Sequence, residues 1–274
     1  MPELTAVAAH VEGAVREGTR RLRTAGCATP RLDAELLLAS TLAVDRARLV
    51  VESPRPLTAD ELARFQELIA RRELREPVAY ILGAKAFRRI SLHVDQRALI
   101  PRPETELLVE AALDLPPGAR VLDVGTGSGA VALAVKDERP DLQVWGVDID
   151  ADAVELARAN ARALGLSVDF VVGDLTAGLW GDAVLANLPY VADDASLAPE
   201  IRQWEPPKAL FAGADGLTLI RRLVSNLDRV SVAALEVGFD QADAVATLLG
   251  EAGFGAIERR RDLAGYERVI VGRR

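Results

Sequence analysis

From residue 120 onward the sequence alternates short apolar runs with segments of helical spacing. "RVLDVG" is followed by a helix from Gly129, "QVWGVDI" by a helix from Asp150 to Leu164, then come "VDFVVGD", "AVLANLPY", a helix after Gly216, "VAALEVG" and a helix from Asp240. Strand-length runs this apolar bury both faces only when helices cover them, so the pattern predicts an α/β fold with a mostly parallel sheet and helices on both faces. The end of the chain departs from the alternation. "AIERRRDLAGYERVIVG" reads as two strands around Ala264 and Gly265, so the sheet is expected to finish with antiparallel pairing.

The first ninety residues have a different period. Leu4, Val7, Ala8, Val11, Ala14 and Val15 recur at helical spacing, and Leu36, Leu37 and Leu42 mark a second helix after Pro30. A third helix has a signed start: Thr58 and Glu61 have the spacing of a capping box, Leu57 and Leu62 that of a hydrophobic staple, and the apolar face continues through Phe65, Leu68 and Ile69. A small helical bundle is expected here. "FRRISLHVD" then alternates like a strand before "LIPRPETELLVEAAL" opens another helix. The expected division is therefore a helical domain over 1–85, a hairpin linker over 86–98 and the α/β domain over 99–274.

With 274 residues, half of them apolar, the chain can bury one large core and a smaller one. A formal charge of −8 argues against a polyanion as the main partner, and no direct nucleic-acid binding is expected. One cysteine, Cys27, excludes an internal disulfide framework and fits a reducing compartment. "MPELTAVAAHVEG" has acidic residues where a signal peptide carries basic ones, and no run approaches the ~20 apolar residues of a membrane span. A cytoplasmic protein without membrane association is expected. His10 and His93 have no partners at ligand spacing, so both are expected to be structural and no metal is expected.

In an open sheet of this kind ligands bind at the carboxyl ends of the strands. After the first strand, "DVGTGSG" spans Asp123 to Gly129, with glycines that allow close backbone approach and a tight turn into the helix. After the second, Asp148 is placed to accept hydrogen bonds from two ribose hydroxyls. After the third, Asp174 and Leu175 could contact a base edge and its face. These features do not name one cofactor, because Gly125, Gly127 and Ala130 also satisfy the G-x-G-x-x-G/A dinucleotide pattern with Asp148 near its expected distance. A nicotinamide oxidoreductase remains open at that point.

The fourth strand discriminates. Asn187, Leu188, Pro189 and Tyr190 follow the apolar Ala183 to Ala186, where they would make a poor core and an overlong turn. Methyl transfer to a planar amide or amino nitrogen is difficult because the lone pair is delocalised. An asparagine oxygen and the next backbone carbonyl, held rigid by a proline, can accept both N–H groups and aim the lone pair, which is catalysis by positioning and polarisation. Tyr190 would wall the flat group.

At these residues the sequence resembles the class I S-adenosylmethionine methyltransferases with an N-P-P-Y motif. With "REPVAYILGAKAF", "LIPRPETELLVE", "DVGTGSGAVALAV", "VWGVDIDADAVELARANA" and "EPPKALFAGADGL" it resembles the release-factor glutamine methyltransferases over nearly its whole length. The resemblance implies a seven-stranded Rossmann-like methyltransferase sheet behind a small N-terminal helical substrate-docking bundle. It implies S-adenosylmethionine as cofactor and S-adenosylhomocysteine as product. It places Gly125, Thr126, Gly127, Ser128, Gly129, Asp148, Asp174, Leu175 and Asn187 at the cofactor. Asn187, Leu188, Pro189 and Tyr190 lie around the acceptor glutamine of a release factor, with Asn187, Pro189 and Tyr190 carrying catalysis. Arg102 and Glu104 are expected to close over the cofactor.

Leu188 departs from the family's usual proline, yet the group needed there is a carbonyl that leucine also has. N-L-P-Y also occurs in ribosomal RNA adenine dimethyltransferases, whose target amino group is equally planar. Those enzymes place the accessory helical domain after the catalytic one, whereas here it comes first. A glutamine in a protein is therefore the expected acceptor, with a ribosomal-protein glutamine or adenine N6 of RNA or DNA as alternatives.

Overall fold

The computed structural model describes residues 10–274. The chain divides into two compact units, one holding residues up to Gly83 together with Ala198–Trp204, the other Ala84–Leu197 and Glu205–Arg274. Ala198–Trp204 belongs with the helical unit although it lies more than a hundred residues further along the chain.

The first unit is helical, as its spacing predicts. α1 (Val11–Thr24) starts at His10, whose imidazole Nδ1 accepts the Gly13 amide at 3.1 Å and satisfies one of the donors every helix start leaves open. His10 is thus a structural cap. Leu4, Val7 and Ala8 of the expected face lie outside the described residues. α2 (Pro30–Leu42) has proline in its first turn and ends on left-handed Ala43, and a short α3 (Arg48–Val51) follows. α4 (Ala59–Glu73) carries the full capping box, with Thr58 and Glu61 each bonding the other's backbone amide. α5 (Val78–Leu82) stops at left-handed Gly83. Leu22, Leu37, Leu38, Phe65 and Ile69 fill the core between these helices. Buried Arg72 is paired with Asp33 at 2.8 Å and Glu200 at 2.9 Å, and Arg75 also grips Glu200. Two guanidinium groups hold the Glu200 carboxyl well below the usual range, at about 2, against the burial that opposes ionisation.

The second unit opens with an antiparallel hairpin of β1 (Ala84–Phe87) and β2 (Ile90–His93). A 3-10 turn over Pro103–Thr105 leads into α6 (Glu106–Leu113). The alternation then runs β3 (Arg120–Val124), α7 (Ala130–Glu138), β4 (Gln143–Asp148), α8 (Ala151–Leu164), β5 (Asp169–Val172) and β6 (Ala183–Ala186). After α9 (Pro199–Trp204), counted with the first unit, it resumes as α10 (Thr218–Val224), β7 (Val232–Glu236), α11 (Ala242–Glu251), β8 (Ala256–Arg261) and β9 (Glu267–Arg273).

Seven of the described strands form one sheet in the order β5-β4-β3-β6-β7-β9-β8. The first five are parallel, whereas β9 pairs antiparallel with both β7 and β8, as the tail of the sequence predicts. β6 and β7 are buried along their whole lengths, which is why they read as unbroken apolar runs. The chain starts at β3, runs outward to β5 and then crosses back to place β6 on the other side of β3. That reversal leaves a crevice at the carboxyl ends of β3 and β6. Among the described residues no helix is long and apolar enough to cross a membrane.

Candidate functional site

A cavity of about 420 Å³ occupies this crevice, lined by the loops after β3, β4, β5 and β6. The loop after β3 is fastened from two sides. The amides of Gly125 and Thr126 donate to the Val147 carbonyl at 2.8 and 3.0 Å, and the Gly127 amide donates to Asp148 Oδ2 at 2.9 Å. Asn160, buried on α8, donates from Nδ2 to the carbonyls of Ser128 and His93. Gly125 has a φ of +75°, and a methyl built on it would meet Leu188 Cδ2 at 3.1 Å. Glycine here allows the loops after β3 and β6 to close on each other.

Two carboxylates sit beneath this loop. Asp123 is buried, accepting the Thr126 hydroxyl at 2.6 Å and the Ala132 amide at 3.1 Å, and burial pushes its carboxyl up to about 7. Asp148 accepts the amides of Gly127 and Asp150 through one oxygen each, and burial raises its pKa too. A carboxylate oxygen has two lone pairs, so each oxygen of Asp148 keeps one to offer a ligand's hydroxyl. Next to it, Lys208 pairs with Asp150, whose carboxyl it lowers despite burial. Asp174 lines the cavity but bonds Arg222 at 2.6 Å, and Leu175 is held at φ +50°, partly buried against the core.

After β6 the structure puts Asn187, Leu188 and Pro189 on the cavity wall. Asn187 Nδ2 donates to Thr105 Oγ1 at 3.1 Å, which turns its Oδ1 away and leaves it free to accept. Tyr190 is not a lining residue. Its hydroxyl points at Glu236 Oε1, 3.4 Å away, and burial raises its pKa. Its carbonyl is held by Gln241 Nε2 at 2.9 Å, while Gln241 Oε1 takes the Gly238 amide at 2.9 Å.

Arg102 and Glu104, expected to close over the cofactor, are not among the residues that line the cavity. Arg102 is claimed by Glu205, a buried carboxylate that also accepts the Ile100 amide at 3.3 Å. Glu104 acts on Glu236 through its charge. Sequence reasoning missed Asp123, Asn160, Glu205, Gln241 and Glu236. Each is a polar side chain in an otherwise apolar or loop context, and that is the signal by which such residues are found. Among the described residues no group of three or more His, Cys, Asp and Glu side chains is arranged to hold a metal ion.

The glycine loop, the strand-end carboxylate and the asparagine-led turn meet around the β3–β6 switch point, and the fold that brings them there is that of the class I methyltransferases. A methyltransferase from Pyrococcus furiosus shares the fold, with a TM-score of 0.51 at 15% identity over 66% of this chain and 87% of that one. Residues 13–83 match the PrmC N-terminal domain model and residues 103–203 the methyltransferase small domain model. A release factor glutamine methyltransferase of Rhodospirillum rubrum is 42% identical over 269 residues, covering 94% of this chain and 83% of that protein. One of Caulobacter vibrioides is 38% identical over 266 residues, 92% of each. The chain belongs to the release factor glutamine methyltransferase family.

Proposed function

We propose that this enzyme transfers the methyl group of S-adenosylmethionine to the side-chain amide nitrogen, N5, of the glutamine in the Gly-Gly-Gln motif of peptide chain release factors. The observation that carries the reading is the orientation of Asn187. With Nδ2 engaged by Thr105, its oxygen is presented at the cavity wall as an acceptor for an N–H.

The residues present fit the cofactor. Asp148 would take the ribose hydroxyls, Leu175 one face of the adenine, and the backbone of Gly125 to Gly129 the amino-acid end, where a side chain on Gly125 would fill the cradle. When bound, S-adenosylmethionine supplies an electrophilic methyl on a sulfonium centre. Everything else is the work of the chain. Asn187 Oδ1 and the Leu188 carbonyl accept the two N–H groups of the acceptor amide and so orient its lone pair, while Pro189 stiffens the turn. Hydrogen bonding from both N–H groups also increases electron density on the nitrogen.

A glutamine side chain is short, so its backbone must come close to the cavity mouth. A loop with two glycines before the glutamine allows that approach. One such loop buries little area, and the helical unit supplies a second surface to dock the release factor.

The test is transfer of labelled methyl into purified release factor, ribosomal protein, ribosomal RNA and DNA offered separately, with calorimetric binding of S-adenosylmethionine and NAD alongside. Labelling of the release factor is expected. Labelling of nucleic acid or of a ribosomal protein instead would replace the substrate, and tight NAD binding without S-adenosylmethionine binding would replace the cofactor.

A further inference from the structure

β6 and β7 run parallel with Ala186 opposite Leu235, so the next step along both strands brings Glu236 beside Asn187. Glu236 is only 2% exposed; Tyr190 reaches its Oε1 over a long 3.4 Å, and its Oε2 has no hydrogen-bond partner. A buried carboxylate oxygen without a partner is costly. Thr105 stands between the two residues. It ends the 3-10 turn with helical backbone, φ −63° and ψ −20°, and its hydroxyl does not cap α6. Its oxygen instead accepts from Asn187 Nδ2.

A hydroxyl that accepts from Asn187 must send its own proton elsewhere, and Glu236 is the carboxylate beside it. Thr105 is the group that most favours ionised Glu236, helped by Arg268 and Tyr190 and opposed by burial and by Glu104. The two ends of an asparagine amide have nearly the same shape, so the neighbour's proton decides which end faces the cavity.

We propose that Glu236 is a positioning residue for the acceptor site, drawing the Thr105 proton to itself so that Asn187 presents Oδ1, and not Nδ2, to the acceptor amide. The proposal rests on the functional reading of Asn187 above. Protonated Glu236 no longer needs the Thr105 proton. Thr105 is then free to donate to Asn187, the amide turns over, and an N–H faces the N–H groups of the acceptor. The Glu236 carboxyl is raised to about 7 by burial, so the switch falls near neutral pH.

The experiment compares Thr105→Ser, Thr105→Val and Glu236→Gln in the full chain. Turnover on the release factor should stay within about threefold in Thr105→Ser and fall about tenfold or more in Thr105→Val, as expected for one lost relay bond. Affinity for S-adenosylmethionine should be unchanged in both. The acidic limb of kcat against pH should appear in wild type and Thr105→Ser and vanish in Glu236→Gln. A readout free of turnover is the Asn187 side-chain amide resonance, identified by its loss in Asn187→Asp. It should shift with pH near neutrality in wild type and not in Thr105→Val. Equal turnover of the serine and valine variants, or an Asn187 resonance insensitive to pH in wild type, would overturn the relay. An enzyme whose Asn187 resonance follows pH but which methylates no glutamine would keep the relay and overturn the functional reading.

Discussion

Gly216 lies so close to Tyr190 that a methyl group built on it would sit 2.1 Å from the Tyr190 carbonyl oxygen and 2.7 Å from Gln241 Nε2. Its φ of +71° adds backbone strain for any other residue. The loop after β6 is therefore held at its far end by a glycine and a glutamine remote in sequence. Gly216→Ala is expected to displace Tyr190 and with it Asn187 to Pro189, reducing kcat on the release factor by about 10²-fold, the scale of a misplacement near 1 Å. Kinetics and calorimetry on this variant check it. Normal turnover would show that the loop does not depend on this contact.

Asn187→Ala should leave S-adenosylmethionine binding nearly intact while methyl transfer falls by ~10²-fold or more, because the lost group polarises the acceptor and does not hold the ribose. Single-turnover rates with saturating cofactor separate the two effects.

Asp148 braces the glycine loop and keeps a lone pair on each oxygen, which the proposed binding mode gives to the ribose. Asp148→Ala should weaken S-adenosylmethionine binding by roughly 1.5 to 3 kcal/mol, the range for hydrogen bonds to a charged partner. Titration calorimetry measures it, with NAD expected to bind the wild type poorly.

The carboxyls of Asp123 and Glu236 are both raised by burial, to about 7. The folded protein thus holds protons that the unfolded chain would release. The stability this confers is complete below the ordinary carboxylate pKa of about 4 and is lost as the pH rises through about 7. Thermal denaturation of the ligand-free protein should give a Tm that declines over that window, and Asp123→Asn and Glu236→Gln should each flatten the decline. A Tm that rises through the same window and is unaffected by both substitutions would contradict the assignment.

A short peptide containing Gly-Gly-Gln should be a poor substrate beside the intact release factor, chiefly through a higher KM, because it fills the cavity mouth without a second contact. Removing the helical residues is a less clean test, since Glu200 would lose Arg72 and Arg75. Equal kcat/KM for peptide and protein would remove the docking role.

The legible parts of this molecule were those encoded locally. Ala183 to Ala186 read as a buried strand because every position is apolar, and Thr58 with Glu61 announced a helix start because a capping box is complete within four residues. The glycine loop, Asp148 and the Asn187 turn line one cavity, as their order along the chain suggests, because each follows its own strand. What stayed hidden depends on partners far apart in the chain. The pairing of Arg102 with Glu205 spans about a hundred residues and has no local signal, and the structural role expected of His10 turns out to be a helix cap. Gln241 and Glu236 carry no motif, and their meaning comes from the pairing of β6 with β7 and the return of the chain past Tyr190.

The proposed acceptor is an amide nitrogen presented to Asn187. The most direct test is tandem mass spectrometry of release factor incubated with the enzyme and isotopically labelled S-adenosylmethionine, run in parallel with Asn187→Ala. One labelled methyl is expected on the side-chain amide of the Gly-Gly-Gln glutamine, formed by the wild type and nearly absent with the variant. A methyl on any other residue, or an equal yield from the variant, would contradict it.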